Sequence, residues 1–161
     1  MTPQTLVRQR LRKAPRHIWL GTAFAVGAST MAFHRRVLVA DDDRDLRSCV
    51  VDLLRGWDLA IVQAESGTEA LEILRRERPN LALLDMHMPG YTGLELVSLV
   101  RKETLDIPCI VLSGDATDAV RSMALEEGAL AVFRKPPEPR LLRAEVARAL
   151  GMPPLPGGFA C

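Results

Sequence analysis

The sequence predicts an α/β domain, built as one five-stranded parallel sheet that is doubly wound, with helices on both faces. Two observations carry this. Between residues 36 and 150, five short apolar runs alternate with five segments of helical apolar spacing. The runs are near-continuously apolar instead of alternating with polar residues, as strands are when a parallel sheet is covered on both faces. Such a sheet brings the carboxyl ends of all its strands to one edge, where ligand chemistry gathers.

The elements follow in order. Residues 36–40 (RVLVA) form the first strand, which runs into three acids. Residues 44–56 are helical, with Leu46, Cys49, Val50, Leu53 and Leu54 on one face and Gly56 at the end. Residues 59–63 are the second strand. Ser66 is placed to cap the next helix, and Glu69 three residues on completes a capping box. That helix runs to residue 78 and is closed by Pro79. Residues 81–84 are the third strand and deliver Asp85. A Met-Pro-Gly turn leads to a helix over 94–102, then a strand over 108–112. A helix over 117–127 ends at Gly128, a fifth strand spans 129–133, and a last helix spans 139–150. The Pro- and Gly-rich tail 151–161 is expected to be flexible.

With 161 residues, 48% of them apolar and 25% charged, the chain suits one soluble domain over 34–150 with extensions. That length buries a core without metals or disulfides to hold it. Charge is uneven. Residues 1–36 carry seven basic residues and no acid, while the remainder has 14 basic against 20 acidic residues, a net −6. The acidic globular part argues against DNA as a partner. Cys49, Cys109 and Cys161 make no CxxC and no metal spacing, as expected of a reduced cytoplasmic protein, and the first two fall in apolar patterns that suit the core.

The basic and apolar extension 1–33 admits three readings. Sixteen uncharged residues from Ile18 to Phe33 are short for a membrane span and are interrupted by Gly21, Gly27, Ser29 and Thr30. No membrane association is therefore expected. The stretch resembles a secretory signal, with Val26-Gly27-Ala28 as a cleavage site. It also reads as a solvated tail, or as residues ahead of a translation start at Met31. The cytosolic character of everything downstream disfavours export.

The strand ends carry the chemistry. Asp41, Asp42 and Asp43 follow the first strand, Asp85 the third, Ser113 and Gly114 the fourth, and Arg134, Lys135 and Pro136 the fifth. Clustered carboxylates repel one another, and a hard divalent cation removes that repulsion. Mg2+ takes oxygen ligands and keeps several waters, and a hydroxyl and an ammonium remain to bind phosphoryl oxygens. The set suits transfer of a phosphoryl group onto a carboxylate, where catalysis is mostly positioning and charge neutralisation.

The motifs VLVADDD, LALLDMHMPGYTG, IVLSGD and FRKP stand in this order, each at a strand end. Over residues 36–150 the chain resembles a response-regulator receiver domain of two-component signalling. The resemblance implies a flavodoxin-like sheet. It implies that Asp85 is the phosphoacceptor, taking the group from a phosphohistidine on a sensor histidine kinase or a histidine phosphotransfer protein. Asp42 would ligate Mg2+ directly, Asp41 directly or through water, and the backbone carbonyl of His87 would add a ligand. Ser113 would bond a phosphoryl oxygen. Lys135 would pair with Asp85 and then with the phosphoryl group, and the Lys135–Pro136 bond would be cis. Phe133 would take the aromatic switch position beside Ser113 and turn a protein-binding face formed by 117–127, 129–133 and 139–150. A downstream protein target is expected to read that face.

Several of these residues also have plainer readings. Asp43 reads as a helix N-cap instead of a ligand. His87 has no second His or Cys at zinc spacing. Haloacid-dehalogenase-like phosphatases carry a second Asp two residues after the nucleophile, where this chain has His87. A receiver-fold binding module without phosphorylation is expected when Asp85, Asp42 or Lys135 is missing, and all three are present. Three positions depart from the family pattern: Pro137 after Lys135-Pro136, Thr92 before Gly93, and Phe133 in place of tyrosine. With only eleven residues after Leu150, the expectation is a stand-alone receiver and not an enzyme beyond its own phosphoryl transfer and loss.

Overall fold

The computed structural model describes residues 35–153, so the 1–33 extension and most of the 151–161 tail lie outside the described residues. Five strands alternate with five helices: β1 (Arg35–Ala40), α1 (Arg44–Leu53), β2 (Leu59–Ala64), α2 (Gly67–Glu77), β3 (Leu81–Asp85), α3 (Gly93–Lys102), β4 (Cys109–Ser113), α4 (Asp118–Glu127), β5 (Ala131–Arg134) and α5 (Pro139–Leu150). All strand pairs are parallel, in the order β2-β1-β3-β4-β5. The order doubles back at β1, and the edge beyond β1 and β3 is therefore the switch point of the sheet. No described helix is long and apolar enough to cross a membrane.

The apolar runs resolve into two cores by strict alternation. Val37, Val39, Leu81, Leu83, Ile110 and Leu112 face α1 and α5, meeting Val50, Leu54, Leu142, Val146 and Leu150. Leu38, Ala40, Ala82, Leu84, Cys109, Val111 and Val132 face α2, α3 and α4. Every residue of β3 and β4 is buried, which is why those runs show no polar alternation. Each fully buried leucine here stabilises the fold by roughly 2–3 kcal/mol. Exposed pairs such as Arg55–Asp52 contribute roughly 0–1 kcal/mol each. The two cores, not the surface charges, hold the sheet. Cys109 is packed in one of them, and burial pushes its thiol up to about 12. Cys49, expected in the core, is exposed on α1 instead.

The caps follow the side chains. Asp43 caps α1, accepting from the Asp45 and Leu46 amides at 2.9 and 3.2 Å. Ser66 caps α2, but the reciprocal half of the expected capping box lands elsewhere: the Glu69 carboxylate accepts from the Glu65 amide at 2.8 Å. The complete box belongs to α3, where Thr92 and Glu95 bond each other's backbone. That explains Thr92 before Gly93: a threonine supplies the same cap oxygen as Asp or Asn.

The loop from Met86 to Thr92 carries the chain from β3 past the sheet edge, and two glycines fix its path. A Cβ on Gly93 would lie 2.4 Å from the Asp85 carbonyl oxygen, and one on Gly67 would lie 1.9 Å from the Tyr91 carbonyl oxygen. Both neighbours are main chain and have little room to yield. Gly93→Ala is therefore expected to destabilise the domain by roughly 2–3 kcal/mol and to move the Asp85 loop. A thermal melt unchanged by this substitution would contradict the tight packing described here.

Candidate functional site

The carboxyl ends of β1, β3 and β5 bring three charged groups into contact. Asp85, at the end of β3, is 4% exposed, and Asp41, just after β1, is 1% exposed. Lys135 follows β5, and its Nζ lies 2.8 Å from Asp85 Oδ1 and 2.7 Å from Asp41 Oδ2. The His87 amide donates to Asp85 Oδ1 at 3.3 Å, and the Asp43 amide donates to Asp41 Oδ1 at 2.9 Å. Apart from its ion pair with Lys135, buried Asp41 Oδ2 has no hydrogen-bond partner. Asp42 is exposed at the mouth, and carboxylate oxygens of Asp41, Asp42 and Asp85 lie within 4.8 Å of one another.

The electrostatics are those of a crowded anionic site. Burial holds the Asp85 carboxyl above its ordinary value, and Asp41 adds to this, while the Lys135 ammonium and the His87 amide oppose it. Burial alone would lower Lys135, yet Asp41 and Asp85 hold its ammonium above the ordinary value. One ammonium therefore serves two buried carboxylates, with a third carboxylate beside them. The donor set is all oxygen, part buried and part open to water, and Asp41 Oδ2 is met by the Lys135 ammonium alone. These residues fit a hard divalent cation.

Ser113 ends β4 and is 1% exposed. Its Oγ accepts from the Asp115 amide at 3.2 Å, which leaves its O–H free to donate, and its carbonyl accepts from the Lys135 amide at 2.8 Å. The Lys135–Pro136 bond is cis, and the adjoining Pro137 is buried. The His87 side chain is exposed.

Phe133 does not stand beside Ser113. In β5, Val132 packs in the core under α2, α3 and α4, whereas Phe133 packs against the core under α1 and α5. Ser113 continues the alternation of Cys109 and Val111, so it shares its face with Val132. The expected switch, with Phe133 turning into space vacated by Ser113, is thus corrected: strand alternation puts the two on opposite faces of the sheet. The face formed by α4, β5 and α5 does carry an open cleft of about 530 Å³. Leu125 and Leu141, each at least half exposed, line it. Arg121 of α4 donates to the Val132 carbonyl at 2.8 Å, tying helix to edge strand.

One buried charged residue lies outside the set that the sequence predicts. Arg47 of α1 is 5% exposed and reaches the Asp41 carbonyl. Its signal was its place three and seven residues ahead of Val50 and Leu54, on the buried stripe of the helix.

Residues 37–147 match the family model described as the response regulator receiver domain. The chain belongs to this family. The receiver domain is 36% identical over 120 residues to the DNA-binding response regulator MtrA of Mycolicibacterium paratuberculosis, covering 72% of this chain and 51% of that protein. It is 37% identical over 109 residues to a response regulator receiver protein of Anaeromyxobacter, covering 67% of this chain and 46% of that one. Among solved structures it is similar to the receiver domain of the response regulator NarL from Mycobacterium tuberculosis, with 30% identity, a TM-score of 0.65, and coverage of 73% of this chain and 98% of that one. The chain spans about half the length of the curated relatives it matches.

These relatives correct the expectation that DNA is no partner. A relative named as DNA-binding matches this receiver domain over half its own length. The acidic charge of the receiver describes only the surface of the receiver. It says nothing of what the rest of such a regulator binds.

Proposed function

We propose that this receiver domain accepts a phosphoryl group on Asp85, with Mg2+ held by Asp41, Asp42, Asp85 and the His87 carbonyl. The observation that carries the reading is Lys135 Nζ, within 2.8 Å of both Asp41 and Asp85 at the mouth of an all-carboxylate cluster. An Asp85 oxygen attacks the phosphorus of a phosphohistidine on a sensor kinase or phosphotransfer protein. The P–N bond breaks, the imidazole leaves, and Asp85 becomes an acyl phosphate. Bound Mg2+ supplies charge neutralisation for the transferred group. Lys135 passes from Asp85 to a phosphoryl oxygen, and the free Ser113 hydroxyl donates to another. The domain is a signalling switch acting in the cytoplasm, not an enzyme with a turnover of its own. Its output is a changed affinity of the α4-β5-α5 face for a protein target. DNA enters as a partner of the whole protein, on the strength of relatives that carry DNA-binding in their names.

Incubation with acetyl phosphate tests this by intact mass. One phosphoryl group is expected with Mg2+ and none after chelation. Labelling that is indifferent to Mg2+ would refute the metal role.

The acidic triplet divides its work. Asp42→Ala is expected to weaken Mg2+ binding by about tenfold or more, since it removes a ligand. Asp43→Ala removes the α1 cap, for about 1 kcal/mol of stability, and leaves Mg2+ binding nearly unchanged. Calorimetric titration of both variants, beside their thermal melts, checks the division. Equal losses of Mg2+ binding would undo it.

A further inference from the structure

Arg47 carries a buried charge that phosphoryl transfer does not use. Each nitrogen of its guanidinium donates once: Nη1 to the Asp41 carbonyl at 2.6 Å, Nε to Gln63 Oε1 at 3.2 Å, and Nη2 to Glu65 Oε1 at 2.9 Å. Gln63 lies within β2 and Glu65 follows it, so the side chain braces the residue after β1 against β2. The bonded carbonyl belongs to the peptide joining Asp41 to Asp42. Fixing that peptide plane fixes the directions in which both side chains leave the backbone: Asp41 into the buried site and Asp42 to its mouth. The Asp41 amide is held too, donating to the Ala64 carbonyl at 3.1 Å. Arg47 thus acts on the first peptide of the acidic triplet, while the Asp41 carboxylate itself accepts from the Asp43 amide.

Burying a guanidinium seldom stabilises a fold over an apolar residue of similar size. What the arginine adds over methionine is donation, above all to the buried Asp41 carbonyl. The short bond to Asp41 has another use: it keeps two carboxylates aimed at one point although they repel each other.

We infer that Arg47 is a positioning residue of the metal site, holding the Asp41–Asp42 peptide so that both carboxylates face a common divalent cation. The inference rests on the metal reading above. Second-sphere partners of this kind change metal affinity by roughly 10–100-fold when removed.

The test is calorimetric titration with MgCl2 of the parent chain, Arg47→Met, Arg47→Lys and Glu65→Gln, with a thermal melt of each without metal. Arg47→Met is expected to raise the Mg2+ dissociation constant about tenfold or more. Its metal-free melting temperature should fall, because the buried Asp41 carbonyl loses its donor, so the Mg2+ affinities are compared among variants that remain folded. At sub-saturating Mg2+ its labelling by acetyl phosphate should fall in step with the lost affinity. Arg47→Lys, which can still donate to the Asp41 carbonyl, should recover part of the affinity. Glu65→Gln should lose a smaller part. Should Arg47→Met not fold, the last two variants decide the matter by the same ordering. Parent-like Mg2+ affinity in the folded variants overturns the inference while leaving the metal site standing. A parent chain that binds no Mg2+ overturns both.

Discussion

Asp85→Asn is expected to take no measurable phosphoryl group from acetyl phosphate and Mg2+, a loss of at least about a hundredfold. The amide is a poor nucleophile, and it also removes one of the clustered carboxylates. The same change is expected to leave the metal-free fold as stable as the parent, or more so, at neutral pH. Burial raises the Asp85 carboxyl in the folded chain above its ordinary 3.8. Between the ordinary and the raised value the folded chain binds more protons than the unfolded one, so stability falls as pH rises through that window. Above it the penalty is complete, and Asp85→Asn is relieved of it. Below the ordinary value both forms are neutral and the advantage vanishes. Melting the two chains from pH 3 to pH 8 reads this directly. A variant less stable than the parent at neutral pH would show that Asp85 contributes net stability through Lys135. Loss of function without loss of stability is what a strained functional site predicts.

Lys135→Met has the second large effect, with a different signature. The methionine leaves Asp41 and Asp85 facing each other without a cation, and uncompensated charges of this kind cost roughly 3–5 kcal/mol when fully buried. The cost grows as pH rises through the carboxylate range, because one carboxyl can stay protonated at low pH. In the parent, two carboxylates hold the Lys135 ammonium above its ordinary 10.5. Its stabilising contribution is thus present throughout the neutral range and is lost only as pH rises through that raised value. In the variant, Mg2+ should restore stability and bind more tightly than in the parent, since no internal cation competes for the carboxylates. Labelling should nevertheless fall by about a hundredfold, because a phosphoryl oxygen loses its ammonium. Weaker Mg2+ binding in Lys135→Met would show that the lysine organises the carboxylates instead of competing with metal for them.

The fold was legible because its signals are local and repeated. The five apolar runs, the Gly128 stop and the α5 limits, Pro139–Leu150, all follow from spacing and caps. The site was legible because each charged residue directly follows a strand, and parallel strands leave one choice of edge. What escaped depends on which way a side chain points. Of the stripe expected on α1, Val50 and Leu54 are buried, but Cys49 lies outside it and Arg47 takes a buried place instead. An arginine at a buried position contradicts the usual reading of helical periodicity, and the apolar pattern does not reveal it. Phe133 was placed beside Ser113 by its aromatic character, while one residue of strand alternation separates the two faces. The Ser66–Glu69 box was half right, since a glutamate reaches Glu65 as readily as Ser66. DNA was excluded from the charge of a part, which does not speak for a whole regulator.

Locating the phosphoryl group tests the central claim most directly. The chain would be incubated with acetyl phosphate and Mg2+, reduced with borohydride to convert an acyl phosphate into homoserine, and digested for peptide mass mapping. Homoserine at position 85, absent without Mg2+, is the result expected from the Asp41–Asp85–Lys135 geometry. Homoserine at Asp41 or Asp42 with Asp85 intact, or none at any aspartate, would contradict it.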